Sequence, residues 1–205
     1  MKVLVILAHP GTRSFNHAIA DTAVQALKEN GHEAMFHDLY QEQFDPVLPY
    51  EEVPRGAELD PVTKQHVEEL KSADGIIIIH PSWWGQPPAI LKGWIDRTFR
   101  PGIAYEFKEG TKGFTAPTGL LKAENALVIN TTNTPVEVIL QVFGDTLGDI
   151  WDKSVLSFCG VKHFNRKVYD QMVISTPEQR KVWLDDVQTT IRQLFPKPGE
   201  MRIPA

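Results

Sequence analysis

The segment HPGTRSFN, residues 9–16, has the side chains of an anion-binding site. It follows an apolar run and leads into a helical pattern, so Thr12, Arg13, Ser14 and Asn16 are expected at a helix N-terminus. Free backbone N–H groups, hydroxyls and a guanidinium bind phosphate groups well at such a position. A capped helix with a surface arginine has the same pattern, so the motif alone leaves both interpretations open. It is neither a G-x-G-x-x-G fingerprint nor a P-loop.

The segment HPSWWGQPP, residues 80–88, places two tryptophans side by side after an apolar run. Large aromatic rings prefer flat partners, so Trp83 and Trp84 predict a wall against a flat ligand. Gly85 allows close backbone approach, and Pro88 suits the first turn of a helix. The alternative is that both tryptophans are core or dimer contacts. Adjacent side chains do not easily face the same side, so one of them could lie in the core.

The segment NTTNTP, residues 130–135, sets hydroxyls and amides in a row after a third apolar run. These groups could hydrogen-bond the polar edge of a flat ring, or they could form a plain polar turn before a helix that begins near Pro135. The composition alone does not separate the two readings.

Other chemistries fit the sequence poorly. There is no G-x-S-x-G motif, and the seven histidines show neither H-E-x-x-H nor Cys/His zinc spacing, so no metal site is predicted. Cys159 stands in an apolar stretch and is expected to be buried rather than nucleophilic. A receiver domain would need an aspartate at the end of the third strand, where His80, Pro81 and Ser82 stand.

Alternating strand and helix patterns must position these segments. Continuous apolar runs at 2–8, 75–79 and 126–129, with a weaker run at 33–38, are typical of strands covered on both faces. Helical patterns follow at 16–30, 61–72 and 88–99 and after Thr176. The order predicts a flavodoxin-like three-layer α/β/α fold with a five-stranded parallel sheet in the order 2-1-3-4-5. Ligands bind beyond the carboxyl ends of such strands, where the three polar segments converge.

Composition limits the class of protein. The 205 residues carry a net charge of −5 and no basic run, which argues against a nucleic-acid partner. One cysteine fits a reducing compartment, and no apolar run reaches the about 18 residues of a membrane span. We expect a cytoplasmic protein with one domain over 1–205. The long connections 39–60 and 100–124 should be functional or cover a partner, and the tail 196–205 should be extended.

The motifs together resemble a known family. A-H-P-x-x-x-S-F-N at 8–16 and the segment at 81–97, which contains P-A-I-L-K-G-W-I-D-R, are similar to NAD(P)H:quinone oxidoreductases, flavodoxin-like flavoproteins of the DT-diaphorase and modulator-of-drug-activity type. Further matches are T-T at 131–132, G-D at 144–145, F-C-G at 158–160 and T-P-E-x-R at 176–180. The resemblance covers residues 1–195.

The resemblance implies roles for individual residues. The flavin phosphates should be held by His9, Ser14, Phe15 and Asn16, beside Arg13. The isoalloxazine ring should lie along Pro81, Ser82, Trp83 and Trp84, next to Gly85. Its polar edge should meet Thr131, Thr132 and Asn133. Arg180 matches an arginine that reaches the adenosine end of FAD, which favours FAD over FMN.

The resemblance also implies an activity. NAD(P)H would pass a hydride to flavin N5, and a quinone or another flat electrophilic acceptor would then take the same place, in ping-pong order. The family implies a homodimer with the pocket at its interface. The alternative is a flavin-binding ancillary subunit of a potassium-efflux system, in which reductase activity is incidental.

The chain departs from the family at a tyrosine and histidine pair near the flavin pyrimidine. Phe143 stands at the place of the histidine, and the place of the tyrosine falls near Glu137. Asn133 and Thr134 replace glycines after Thr132. Our hypothesis is that Asn133 or a backbone N–H takes over from the missing pair, so Asn133 and Glu137 are the catalytic candidates.

Overall fold

The computed structural model describes residues 1–107 and 117–200, and its main feature is one parallel sheet. The strands of that sheet are β1 (Lys2–Leu7), β2 (Glu33–Asp38), β3 (Gly75–Pro81), β6 (Asn125–Thr131) and β7 (His163–Tyr169). Two short strands, β4 (Tyr105–Glu106) and β5 (Thr118–Gly119), form a separate antiparallel pair. The strand order β2-β1-β3-β6-β7 is the predicted 2-1-3-4-5 order, so the flavodoxin-like fold is confirmed.

Helices cover both faces of the sheet. They are α1 (Phe15–Glu29), α2 (Pro61–Ser72), α3 (Ala89–Thr98), α4 (Val136–Val142), α5 (Thr146–Asp149) and α6 (Pro177–Leu194). Short 3-10 turns occupy Tyr50–Glu52 and Met172–Ile174, and a π-helical stretch, Ile150–Leu156, follows α5. Within the described residues, no helix combines the length and apolarity needed to cross a membrane.

The two central strands explain the continuous apolar runs. Every residue of β3 and β6 is buried, because each face of these strands is covered. Ile77 packs towards α1 and α6, whereas Ile78 packs towards α3 and the π-helical stretch. Because side chains alternate along a strand, consecutive residues at the strand ends also belong to opposite faces.

The long 39–60 connection is anchored by a buried arginine. Arg97 on α3 donates from Nε and Nη2 to the carboxylate of Glu52, and from Nη2 to Asp60. Asp60 also caps α2 by accepting the backbone N–H groups of Val62 and Thr63. The connection is therefore fixed against α3, the helix that follows the tryptophan turn.

The described start of the C-terminal tail contains a turn, and the extended form of 196–205 as a whole stays a prediction. Residues 197–200 make a turn in which the Glu200 N–H donates to the Lys197 carbonyl oxygen at 3.0 Å. The chain just before this turn is held at the carbonyl oxygen of Phe195, which accepts a hydrogen bond from Asn30 Nδ2 at 2.8 Å. Residues 201–205, and the part of the 100–124 connection at 108–116, lie outside the described residues.

Candidate functional site

A cleft of about 370 Å³ opens at the carboxyl ends of β1, β3 and β6. It brings together most of the residues singled out from the sequence: His9, Arg13, Ser14, Phe15, Asn16, Pro81, Ser82, Trp83, Thr131, Thr132, Asn133 and Arg180. Met172 and Val173 complete the lining and were not anticipated. Trp84, Gly85 and Glu137 do not line the cleft.

One end of the cleft suits an anion. Ser14 is the N-cap of α1, so the first turn of that helix presents free backbone N–H groups. His9 Nδ1 accepts the Gly11 N–H at 3.0 Å, which leaves the ring proton on Nε2 as a donor, and burial lowers the pKa of His9. Within residues 1–107 and 117–200, no hydrogen bond or ion pair engages the exposed Arg13 guanidinium. These groups are free to bind phosphate oxygens.

A hydrogen-bonded chain behind this end fixes the Ser14 hydroxyl. Asp38 at the end of β2 accepts from His17 Nε2 at 2.9 Å, and the Ser14 hydroxyl donates to His17 Nδ1 at 2.8 Å. Ser14 Oγ also accepts the His17 backbone N–H. The sequence offered no signal for this chain, because Asp38 reaches it from another strand.

The tryptophan turn has an unusual backbone. Trp83 and Gln86 exchange two backbone hydrogen bonds, and both Trp84 and Gly85 between them have left-handed φ angles, 55° and 67°. Trp83 is 42% exposed beside the cleft, and Trp84 is fully exposed. The expectation that one of them could lie in the core is therefore wrong. A left-handed tryptophan is strained, and such strain concentrates at functional sites.

The side of the cleft formed by the end of β6 has a polar edge. Asn16 Nδ2 donates to Thr131 Oγ1 at 2.9 Å, and both side chains are buried. Thr132 Oγ1 accepts the Thr134 N–H. Asn133 Oδ1 accepts the Val173 N–H at 3.1 Å, which commits the oxygen of this amide and leaves its Nδ2 hydrogens as donors. The edge therefore offers a donor where a ring ligand would end.

Arg180 closes the cleft from α6. Its Nε donates to Ser175 Oγ at 2.8 Å and its Nη2 to the Met172 carbonyl oxygen at 3.1 Å, while the guanidinium lies 5.8 Å from the Phe15 ring centre. The arginine thus fixes the turn that carries Met172. Glu137 lies exposed in the first turn of α4, apart from these groups.

A second polar cluster lies outside the cleft, and sequence reasoning missed it. The ligand atoms of His37, Glu42 and His66 lie within 4.8 Å of one another, an arrangement that could hold a cation. However, Trp94 Nε1 donates to His66 Nδ1 at 3.0 Å. An indole N–H only donates, so the proton of neutral His66 sits on Nε2, the atom that faces Glu42 at 3.1 Å. This hydrogen bond disfavours metal ligation by His66.

The hydrogen bonds around His37 instead form a charged network, in which this histidine is paired with the carboxylates of Glu42 and Glu69. His37 places Nδ1 against Glu42 at 2.8 Å and Nε2 against Glu69. Burial by itself would lower the pKa of His37, but the hydrogen bonds to the two carboxylates outweigh it and raise the pKa. Burial would raise the pKa of Glu42, but hydrogen bonds from His37 and His66 lower it to about 2.

We expect replacement of His37 by glutamine to destabilise the fold in a pH-dependent way. The contribution of His37 is complete below its ordinary pKa of 6.5 and is lost as the pH rises through the raised value. The contribution of Glu42 to stability is complete above its ordinary pKa of 4.5 and is lost as the pH falls towards about 2, its lowered pKa. Urea unfolding should show a loss of about 2 kcal/mol near pH 5.5 that shrinks on both sides. His163→Gln, at an exposed histidine, is the control; a loss that is equal at about pH 5.5 and pH 9 would contradict the charged pair.

Comparisons with known proteins agree with this architecture. A family model described as a flavodoxin-like fold matches residues 1–194. The chain is 30% identical to an uncharacterized NAD(P)H oxidoreductase of Haemophilus influenzae over 190 residues, which cover 90% of this chain and 91% of that protein. It is 31% identical to ribosyldihydronicotinamide dehydrogenase (quinone) of Mus musculus, with 89% and 87% of the two chains covered.

A solved structure is similar over nearly the whole chain. The NAD(P)H:quinone oxidoreductase from Methanothermobacter marburgensis superposes with a TM-score of 0.81 at 26% identity, and the match covers 95% of this chain and 96% of that one. With the family match over 1–194, the chain belongs to the flavodoxin-like family that contains these NAD(P)H and quinone oxidoreductases.

Proposed function

We propose that the protein is a flavin-dependent NAD(P)H oxidoreductase that reduces a quinone or another flat electrophilic acceptor. The observation that carries the proposal is that one cleft combines an anion-binding helix start, an aromatic wall and a row of polar groups. The names of the relatives support the same reaction class.

The residues in the cleft fit a flavin nucleotide. His9 Nε2, Arg13 and the start of α1 would hold its phosphate groups, and Trp83 would lie along its ring. A bound flavin supplies the hydride chemistry at N5, which no side chain here can supply. The protein binds and orients the partners and provides donors where negative charge develops.

Asn133 is the proposed donor at the polar edge of the ring. Replacing Asn133 by alanine should lower the two-electron potential of the bound flavin by about 30 mV, which corresponds to about one hydrogen bond of 1.4 kcal/mol. Spectroscopic titration against a reference dye measures the potential. Thr134→Ala changes the neighbouring polar residue outside the cleft lining and is the control. An unchanged potential in Asn133→Ala would remove the proposed role, and Glu137→Gln would then be the next variant to test.

We propose FAD as the preferred flavin. Arg180 lines the cleft from α6, and its guanidinium is held over Phe15 at the start of α1. An adenosine diphosphate extension would bring negative charge within reach of this guanidinium, whereas FMN ends at its single phosphate.

We also propose that the protein is a homodimer with the cleft near its interface. No residue of α4 is buried, Val138, Leu140, Val142 and Phe143 are exposed along it and at its end, and Trp84 on the tryptophan turn is fully exposed. Several exposed apolar side chains on one short helix are typical of an interaction site. Light scattering should give twice the chain mass, and Leu140→Glu should give the monomer. Val62→Glu, at an exposed residue of α2, should stay dimeric; a monomeric unmodified protein would reject this proposal.

Steady-state kinetics test the proposed reaction. Since NAD(P)H and the acceptor would use the same exposed face in turn, initial rates measured at several acceptor concentrations should give parallel double-reciprocal lines. Intersecting lines would require both molecules to be bound at once and would contradict this order.

A further inference from the structure

A row of polar side chains crosses the sheet beneath the cleft. His80 on β3, Asn130 on β6 and Arg166 on β7 come from neighbouring strands and pack on the face opposite α1, beside Trp151. His80, Asn130 and Trp151 have no exposed surface. Buried polar groups are costly unless each has a partner, so the partners determine what this row does.

Hydrogen bonds fix the histidine in one tautomer. Trp151 Nε1 and Asn130 Nδ2 both donate to His80 Nε2 at 2.9 Å. His80 Nδ1 donates to the Pro81 carbonyl oxygen at 2.8 Å. Burial lowers the pKa of His80 to about 4, so the ring is neutral at neutral pH. The row is thus rigid directly below Pro81, a residue of the cleft.

The row ends in an ion pair that reaches a loop. Arg166 Nε donates to Asn130 Oδ1 at 2.7 Å, and its Nη1 pairs with Asp145. Asp145 also accepts the Gly148 N–H at 3.1 Å and so caps α5. Only 13% of the Arg166 side chain is exposed. The fork of one arginine therefore ties residues 143–148, which include the start of α5 and are here called the 143–148 loop, to the sheet.

This loop borders the tryptophan turn. A Cβ built on Gly85 would lie 3.8 Å from Thr146 Oγ1. Phe143 at the start of the loop is 65% exposed, and Trp84 on the turn is fully exposed. A flat molecule lying over the turn would be next to Thr146, so the position of the 143–148 loop would limit how wide that molecule can be.

We propose that Arg166 and Asp145 are positioning residues that set the width of the acceptor space and so decide between one-ring and two-ring quinones. The inference rests on the proposed function. Neither residue lines the cleft, so each acts through the 143–148 loop rather than by touching the acceptor. Without the arginine, Asp145 loses its link to Asn130 and the loop is free to move away from the turn.

The test compares two acceptors in the flavin-loaded protein. In Arg166→Met, the ratio of kcat/KM for a naphthoquinone to that for a benzoquinone should shift at least about tenfold, through KM, with flavin content unchanged. Asp145→Asn keeps an oxygen that caps α5 and accepts from Arg166, so its ratio should stay within about threefold of the starting value. Arg192→Met, which breaks an exposed pair with Glu29, is the matched control.

Two results would overturn the inference. One is a ratio in Arg166→Met that stays within about twofold of the unmodified protein, and the other is an equal shift in Arg192→Met. If Arg166→Met does not hold flavin, Asp145→Ala replaces it under the same criteria. Quenching of tryptophan fluorescence by each quinone gives the ratio of dissociation constants without turnover. If the unmodified protein failed to reduce its flavin, the proposed function would be rejected. The ratio of dissociation constants from quenching would still decide the roles of Arg166 and Asp145.

Discussion

Flavin binding is expected to weaken by about 10- to 150-fold when Arg13 is replaced by methionine. A hydrogen bond from a charged group contributes about 1.5–3 kcal/mol, which corresponds to this range of dissociation constants. The guanidinium is exposed beside the N-terminus of α1 and is committed to no other group in the described part of the chain. The loss should apply to FMN and FAD alike, because both carry the phosphate nearest the ring. Fluorescence titration of the apoprotein measures both constants.

A second arginine distinguishes the two flavins. Arg180→Met should weaken FAD binding by about tenfold and leave FMN binding within about threefold, since only FAD extends beyond the first phosphate. Arg192→Met removes an exposed arginine far from the cleft and should change neither constant. Equal losses of FAD and FMN in Arg180→Met would favour FMN as the cofactor. Unchanged binding in Arg13→Met would place the phosphates elsewhere.

Replacement of Gly93 by alanine is expected to destabilise the protein by about 3 kcal/mol, the upper part of the range for overpacked sites. The new methyl carbon would lie 2.5 Å from Pro46 Cα and closer still to the Pro46 carbonyl oxygen. Both neighbours are backbone atoms of the 39–60 connection, which Arg97 holds against the same helix. Either α3 or the connection must move.

The matched control lies one residue earlier on α3. Lys92→Ala removes an exposed pair with Asp96 and should cost no more than about 0.5 kcal/mol. Urea unfolding of the three proteins gives the comparison. Because α3 begins just after the tryptophan turn, Gly93→Ala should also lower flavin affinity. If the free energy of unfolding of Gly93→Ala stayed within about 0.5 kcal/mol of that of the unmodified protein, the 39–60 connection would be able to move away from α3 at little cost.

The fold could be predicted because the central strands carry their signal in consecutive residues. Strands β1, β3 and β6 are covered on both faces, and this requires continuous apolar runs that are visible in the sequence. The helix starts at Ser14 and Thr176 could also be predicted from the sequence, since each side chain caps the helix that follows. The contacts at the start of the tail could not be predicted, because they come from Asn30 and His32, far away in the sequence.

The candidate site could be predicted only where it is local. Segments after β1, β3 and β6 must meet because parallel strands share one carboxyl edge. Met172 and Val173 enter the cleft from a turn after β7 that no local pattern marked. The exposure of both tryptophans depends on two consecutive left-handed residues, and nothing in the sequence requires Trp84 to adopt that backbone. The cluster of His37, Glu42 and His66 unites a strand, a loop and a helix, so its spacing matches no motif.

The central claim is that the cleft binds a flavin and that NAD(P)H reduces it. The most direct measurement is the visible absorption spectrum of the protein with added FAD or FMN, followed by anaerobic addition of NADH or NADPH. The account predicts a bound flavin spectrum that bleaches on addition of the nicotinamide nucleotide and recovers when a quinone is added. A colourless protein that binds neither flavin would contradict it, and Trp83 and Trp84 would then belong to an interface of another kind.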